Sequence, residues 1–216
     1  MTAAKSISKK TLITKYMNYR LDHEKAPVSI FKFCREKKIK ESDFYNHFGS
    51  FEGLQKGIWV EFHNETMNFL HKNKDYEAYT NRDKLLTYFF TLFELLTLNR
   101  SYVLLTLNDK SSKLENLEQL KGIRKHIKSF SSELIQSSNE NKSISILKRS
   151  ETLFSEATWI QFLFLLKFWM GDDSAAFEKT DAAIEKSVNT AFDLFDNTPL
   201  ERIVDFGKFI WQEQMS

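Results

Sequence analysis

Two prolines, Pro27 and Pro199, and six glycines are all that interrupt the 216 residues of this chain. A sheet-rich fold needs frequent turns and therefore frequent breakers. So sparse a supply leaves room mainly for long helices, and the expected class is all-α with about nine of them. Hydrophobic residues make up 42%, enough to fill a core, and twenty of the residues are phenylalanine. A core so rich in flat rings either packs densely or encloses an aromatic cavity.

Apolar residues recur at helical spacing from the start. Leu12, Ile13, Tyr16, Met17 and Leu21 predict a first helix of about four turns, ended by the stretch 22–27. Ser29 is placed to cap a short helix with Ile30, Phe33 and Cys34. A break at 37–39 precedes a third helix over 41–48, stopped by Gly49, and Ser50 caps a fourth that carries Leu54, Ile58, Phe62, Phe69 and Leu70. Longer elements follow at 82–98, with a continuation at 102–107, and at 114–135. Polar residues 136–145 read as a loop. A helix apolar almost all round covers 153–170, Gly171 to Ser174 stop it and cap the next over 175–195, and Thr198, Pro199 and Glu201 open a last one with cap, first-position proline and capping-box acid.

Several function classes drop out. Cys34 is the single cysteine, so an intramolecular disulfide or a cysteine-based zinc site is impossible. The five histidines are dispersed, and no metal or cofactor is expected. No glycine-rich phosphate loop, serine–histidine–aspartate series or acid pair stands out, so no enzyme is expected. Asp172-Asp173 reads as a helix stop and cap. The polar, lysine-bearing residues 1–10 do not resemble a signal peptide. The longest apolar run, 159–170, is too short to span a bilayer, so no integral membrane segment and a cytoplasmic location are expected.

Charge is unevenly spread. Through Lys56 there are twelve basic and six acidic residues, a balance of +6; the remaining 19 basic and 23 acidic residues give −4. A basic head suits an anionic partner. The head also carries the most specific motif: three short helices and tight turns, then Tyr45, His47, Phe48, Ser50, Glu52 and Leu54, with Phe33, Cys34, Ile39 and Phe44 at core positions. Over residues 9 to 70 this resembles the DNA-binding head of TetR-family regulators. The resemblance implies a helix-turn-helix domain at 1–54, a helical ligand-binding and dimerisation domain at 55–216, and double-stranded DNA as partner. The positions that would meet DNA are Ser29, Lys37, Lys38, Lys40, Glu41, Ser42, Asp43, Tyr45 and His47. Glu41 and Asp43 suit the helix dipole but oppose phosphates. Phe51 stands where the family has a phosphate-contacting lysine, and Lys37-Lys38 where it has a small residue and glycine.

For the body, the resemblance implies a cavity for an apolar small molecule or lipid and a homodimer through the last two helices. Trp159, Phe162, Leu163, Leu166 and Met170 share one face of their helix, with Tyr88, Phe89 and Phe93 as the opposite wall. Phe164 and Phe168 lie on the other face. The expected subunit interface is lined by Ile184, Val188 and Phe192 on one helix and Ile203, Phe206 and Ile210 on the next. A second resemblance covers about 40 residues from Phe168-Trp169-Met170-Gly171-Asp172-Asp173-Ser174 through Thr180 and Ile184. It is similar to TetR-fold lipid-binding accessory proteins of ubiquinone biosynthesis, which implies a held lipid and a head that does not bind DNA.

Overall fold

The computed structural model describes residues 7–108, 116–140 and 151–197. Its helices are α1 (Lys9–His23), α2 (Ile30–Glu36), α3 (Glu41–Tyr45), α4 (Phe51–Lys72), α5 (Asn81–Leu98), α6 (Arg100–Leu107), α7 (Lys121–Glu140), α8 (Glu151–Met170) and α9 (Glu178–Asn197). Short 3-10 turns stand at Tyr76–Ala78, Glu118–Leu120 and Ala175–Phe177. Among the described residues there is no strand, so the all-helical expectation is met. The expected helix over 199–211 lies outside the described residues.

Helix ends follow local chemistry. The Ser8 side chain caps α1 by accepting from the Thr11 amide at 3.1 Å, and Ser29 caps α2 by accepting from the Lys32 amide at 3.2 Å. The third helix is shorter than the expected 41–48. It closes at Tyr45 because the next amides tighten onto one carbonyl: His47 N–H and Phe48 N–H both donate to Phe44 O, at 3.0 and 2.9 Å. That turn tucks Phe48 inward against Gly57, where an added Cβ would stand 2.5 Å from the ring. Residues 136–140, expected in a loop, continue α7. Their polarity is no stop signal, since neither glycine nor proline occurs between Gly122 and Gly171.

The expected helix over 175–195 also begins differently. Ala176 and Phe177 have φ of 51° and 60°, so the backbone turns through left-handed conformations before α9 starts at Glu178. The Asp172 carboxylate makes this corner. It accepts from the Ser174 amide at 2.9 Å and hydroxyl at 2.6 Å, and from the Thr180 amide at 2.9 Å and hydroxyl at 2.6 Å. Ser174 Oγ accepts from the Lys179 amide at 3.2 Å. The second and third amides of α9, which have no intrahelical acceptor, are thus held by side chains upstream.

The chain divides into two compact units, Met1–Glu65 with Glu94–Ile123 and Thr66–Phe93 with Arg124–Ser216. The boundary expected at 54–55 falls inside α4. In the first unit, the buried Trp59 indole donates to Gln119 Oε1 at 3.0 Å, while Gln119 Nε2 donates to the carbonyls of Thr106 and Asn116 at 3.0 and 2.9 Å. Polar groups this deep are costly unless paired, and the amide satisfies three of them at once. In the second unit, Tyr88 stacks on Phe130 at 4.6 Å, Phe93 meets Phe162 at 6.2 Å and Trp169 at 6.3 Å, and Phe154 meets Phe192 at 5.4 Å and Phe195 at 5.0 Å. Glu156 binds both Arg124 and Lys128, which pins α7 to α8.

Candidate nucleic-acid interface

An aromatic cluster positions α3. Phe33 meets Tyr16 at 5.9 Å and Phe44 at 6.4 Å, and Phe51 packs on Tyr16, Phe33 and Phe44 at 5.5, 5.8 and 5.5 Å. Phe51 therefore belongs to the core of the head. Cys34 is buried beside it, and burial pushes its thiol up to about 11, so it stays protonated and unreactive at neutral pH.

The turn between α2 and α3 is a Schellman motif. Ile39 N–H donates to Cys34 O at 2.8 Å and Lys38 N–H to Arg35 O at 3.4 Å, with Lys38 at φ 53°. That left-handed position usually holds glycine. The lysine here accepts backbone strain and places a cation beside α3.

The residues expected at DNA divide into two groups. Ser29 is half-buried at its cap, and Lys38, Lys40, Ser42 and Tyr45 are exposed. Lys37 is turned inward, 3.4 Å from Asp22, 3.3 Å from Glu36 and 5.3 Å from the Tyr19 ring centre. His47 Nε2 stands 2.7 Å from Ile7 O, so it anchors the start of the chain against α3. Glu41 and Asp43 are half-buried in the first turn of α3, and the Tyr45 hydroxyl donates weakly to Glu41 Oε1 at 3.4 Å. Sequence reading missed Asn46. It follows Ser42 at helical spacing, is exposed, and carries the amide chemistry that suits an adenine edge. Its signal was the i, i+4 step from Ser42.

In the second unit, Tyr88, Phe89, Phe93, Phe162 and Leu166 are buried, while Trp159, Leu163 and Met170 are half-buried. The shared face expected for the α8 residues is therefore the inward one. Ile184, Val188 and Phe192, expected at a subunit interface, are instead buried within the unit; Phe192 packs under the Arg82 guanidinium, 5.6 Å from its ring centre, and against Phe154. Ile203, Phe206 and Ile210 lie outside the described residues. On α8 the large apolar side chains left exposed are Ile160 at 65%, Phe164 at 55% and Phe168 at 39%. They border a groove of about 760 Å³ between α8 and α9, completed by Ala182, Ala183 and Ala191.

Residues 84–210, more than half of the chain, match the tetracyclin repressor-like C-terminal domain. The chain belongs to the TetR family. No curated protein and no solved structure matches it. In this TetR-type body the matched stretch takes in α5 to α9 and runs on past Asn197. No helix among the described residues is long and apolar enough to cross a membrane.

Proposed function

We propose that this TetR-family protein is a cytoplasmic, ligand-responsive transcriptional regulator that binds duplex DNA as a homodimer and performs no catalysis of its own. The observation that carries the reading is the α2–turn–α3 unit, with a rigid aromatic core behind it and Lys38, Lys40, Ser42, Tyr45 and Asn46 exposed along one helix and its turn. In a helix-turn-helix unit the start of the second helix enters the major groove, where such side chains reach base edges and phosphates. Ser29 at the cap of α2 and exposed Lys32 would add phosphate contacts. Lys9 and Lys10 are paired with Glu61 and Glu65 on the protein's own surface. Exposed pairs of this kind are weak and exchange readily for phosphate.

An apolar small molecule or lipid is the ligand class that fits side chains such as Tyr88, Phe89, Phe93, Trp159, Phe162, Leu163, Leu166 and Met170. A ligand preferring one arrangement of the body shifts the population of dimers whose heads fit an operator. Dimerisation would use the apolar surface of α8 and α9 together with Ile203, Phe206 and Ile210.

A second reading, the lipid-binding accessory protein with a silent head, is favoured by the inward turn of Lys37, the use of His47 as an anchor and the carboxylates of Glu41 and Asp43. Fluorescence anisotropy with duplexes from the neighbouring genome, across a salt series, decides between them. A regulator gives sequence-dependent binding whose logarithmic affinity falls linearly with log salt. No duplex bound at low salt, together with a lipid that co-purifies, overturns the regulator reading.

A further inference from the structure

The fold engages some of the polar side chains around α3 and leaves others free. Lys37 is held by Asp22 and Glu36, His47 by the Ile7 carbonyl, Ser29 by the Lys32 amide, and Glu41 by the Tyr45 hydroxyl. By contrast, the side chains of Lys38, Lys40, Ser42 and Asn46 are exposed and make no hydrogen bond or ion pair among the described residues. The two lysines are flexible point charges, suited to phosphates of any sequence. The other two are short. Asn46 N–H donates to Ser42 O at 3.0 Å, so the two residues stand one helical turn apart and present a hydroxyl and a carboxamide on one face.

No local role explains an asparagine at position 46. It closes the C-terminal end of α3, where asparagine is favoured for left-handed backbone. Its φ of −64° and ψ of −22° are instead an ordinary right-handed turn. Its side chain makes no bond to the neighbouring backbone. Gly49, three residues on, is equally unrequired by the fold. Its φ is not positive, it is exposed, and an added Cβ would meet nothing within 4 Å. A missing side chain there leaves room for a close approach from outside, beside the one free carboxamide of the α3 turn.

A carboxamide matches one base edge in the major groove. Its oxygen accepts from adenine N6 and its NH2 donates to adenine N7; no other base offers a donor beside an acceptor there. Asparagine is short, so this pairing needs α3 close against the bases, and the small Ser42 on the same face permits it.

We propose that Asn46 is the residue of this head that selects sequence, and that each operator half-site places an adenine before it, held through N6 and N7. This rests on the DNA-binding reading above and specifies which base that site selects. Ser42 lies against the neighbouring base pair, and Lys38 and Lys40 hold phosphates.

The test selects duplexes from a randomised pool with the full chain, then with Asn46→Ala and Asn46→Asp. Position 46 is exposed and right-handed, so both variants should keep the parent's helical circular dichroism. The parent should enrich one fixed adenine per half-site, and exchanging that A·T pair for G·C should weaken its binding about five- to 150-fold. Asn46→Ala should accept any base there, with the slope of log affinity against log salt unchanged. Asn46→Asp keeps the acceptor without the donor and should shift the preference to cytosine. Replacing the adenine with purine, which lacks the N6 amino group, or with 7-deazaadenine, which lacks N7, should weaken the parent and leave Asn46→Ala unaffected. A consensus unchanged in Asn46→Ala, a base other than adenine at the position that variant relaxes, or duplexes bound with no base enriched overturns the proposal and leaves DNA binding standing. A parent chain that binds no duplex at low salt overturns the DNA-binding reading along with it.

Discussion

Asp172→Asn isolates the corner that joins α8 to α9. The buried carboxylate accepts four hydrogen bonds from Ser174 and Thr180, two from amides and two from hydroxyls, all between 2.6 and 2.9 Å. Asparagine keeps the shape but replaces one accepting oxygen with a donor NH2. Either hydroxyl can turn to accept from it; a backbone amide cannot. One buried N–H therefore loses its acceptor, at a cost of about 1–3 kcal/mol, and the remaining bonds lose their charge assistance. A total near 3 kcal/mol lowers the melting temperature of a chain this size by roughly 6–12 °C. Burial opposes ionisation of Asp172, but the four hydrogen bonds overcome it and hold the carboxyl well below the usual carboxylate range. Its folded value is thus depressed, so the stabilisation is complete above the unfolded value near 4 and fades as pH falls through it towards the folded value. Thermal melts from about pH 7 to 3 should show a smaller acid-side loss in the variant than in the parent. Equal melting temperatures at pH 7, or parallel acid-side slopes, would refute the assignment of this corner to the Asp172 charge.

Three further outcomes follow from the first unit. Glu41→Gln with Asp43→Asn removes two negative charges from the start of α3, each worth on the order of 1 kcal/mol against a phosphate; non-specific DNA affinity should rise about ten- to thirty-fold at low salt, and no change across a salt series in anisotropy places α3 away from the groove. Lys38→Gly relieves the left-handed backbone at φ 53° and should stabilise by about 1 kcal/mol in chemical denaturation, with a neutral or negative effect counting against strain at the turn. Gly122→Ala puts a Cβ 2.8 Å from Val60 Cγ2 and 2.9 Å from the Lys56 carbonyl, so urea denaturation should show a loss of about 1–2 kcal/mol despite the better helix propensity.

Helix class and most helix starts were legible in the sequence because they rest on local chemistry. Scarce breakers, Ser29 ahead of an apolar period, and the aspartate–serine corner after Gly171 all act within a few residues. The same locality made the head recognisable, since its core aromatics and turns lie close together in the chain. Contacts between distant segments decided the rest. Phe48 ends α3 early because Gly57, nine residues on, leaves space for its ring. Lys37 turns inward because α1 brings Asp22 and Tyr19 to it, and His47 meets Ile7 across 40 residues. An apolar stripe announces that a face will be covered without saying by what. Ile184, Val188 and Phe192 read as well for a subunit interface as for a core, and Phe154 and Arg82 settled them inside. Periodicity records which side of a helix avoids water, and only tertiary packing decides which surface covers it.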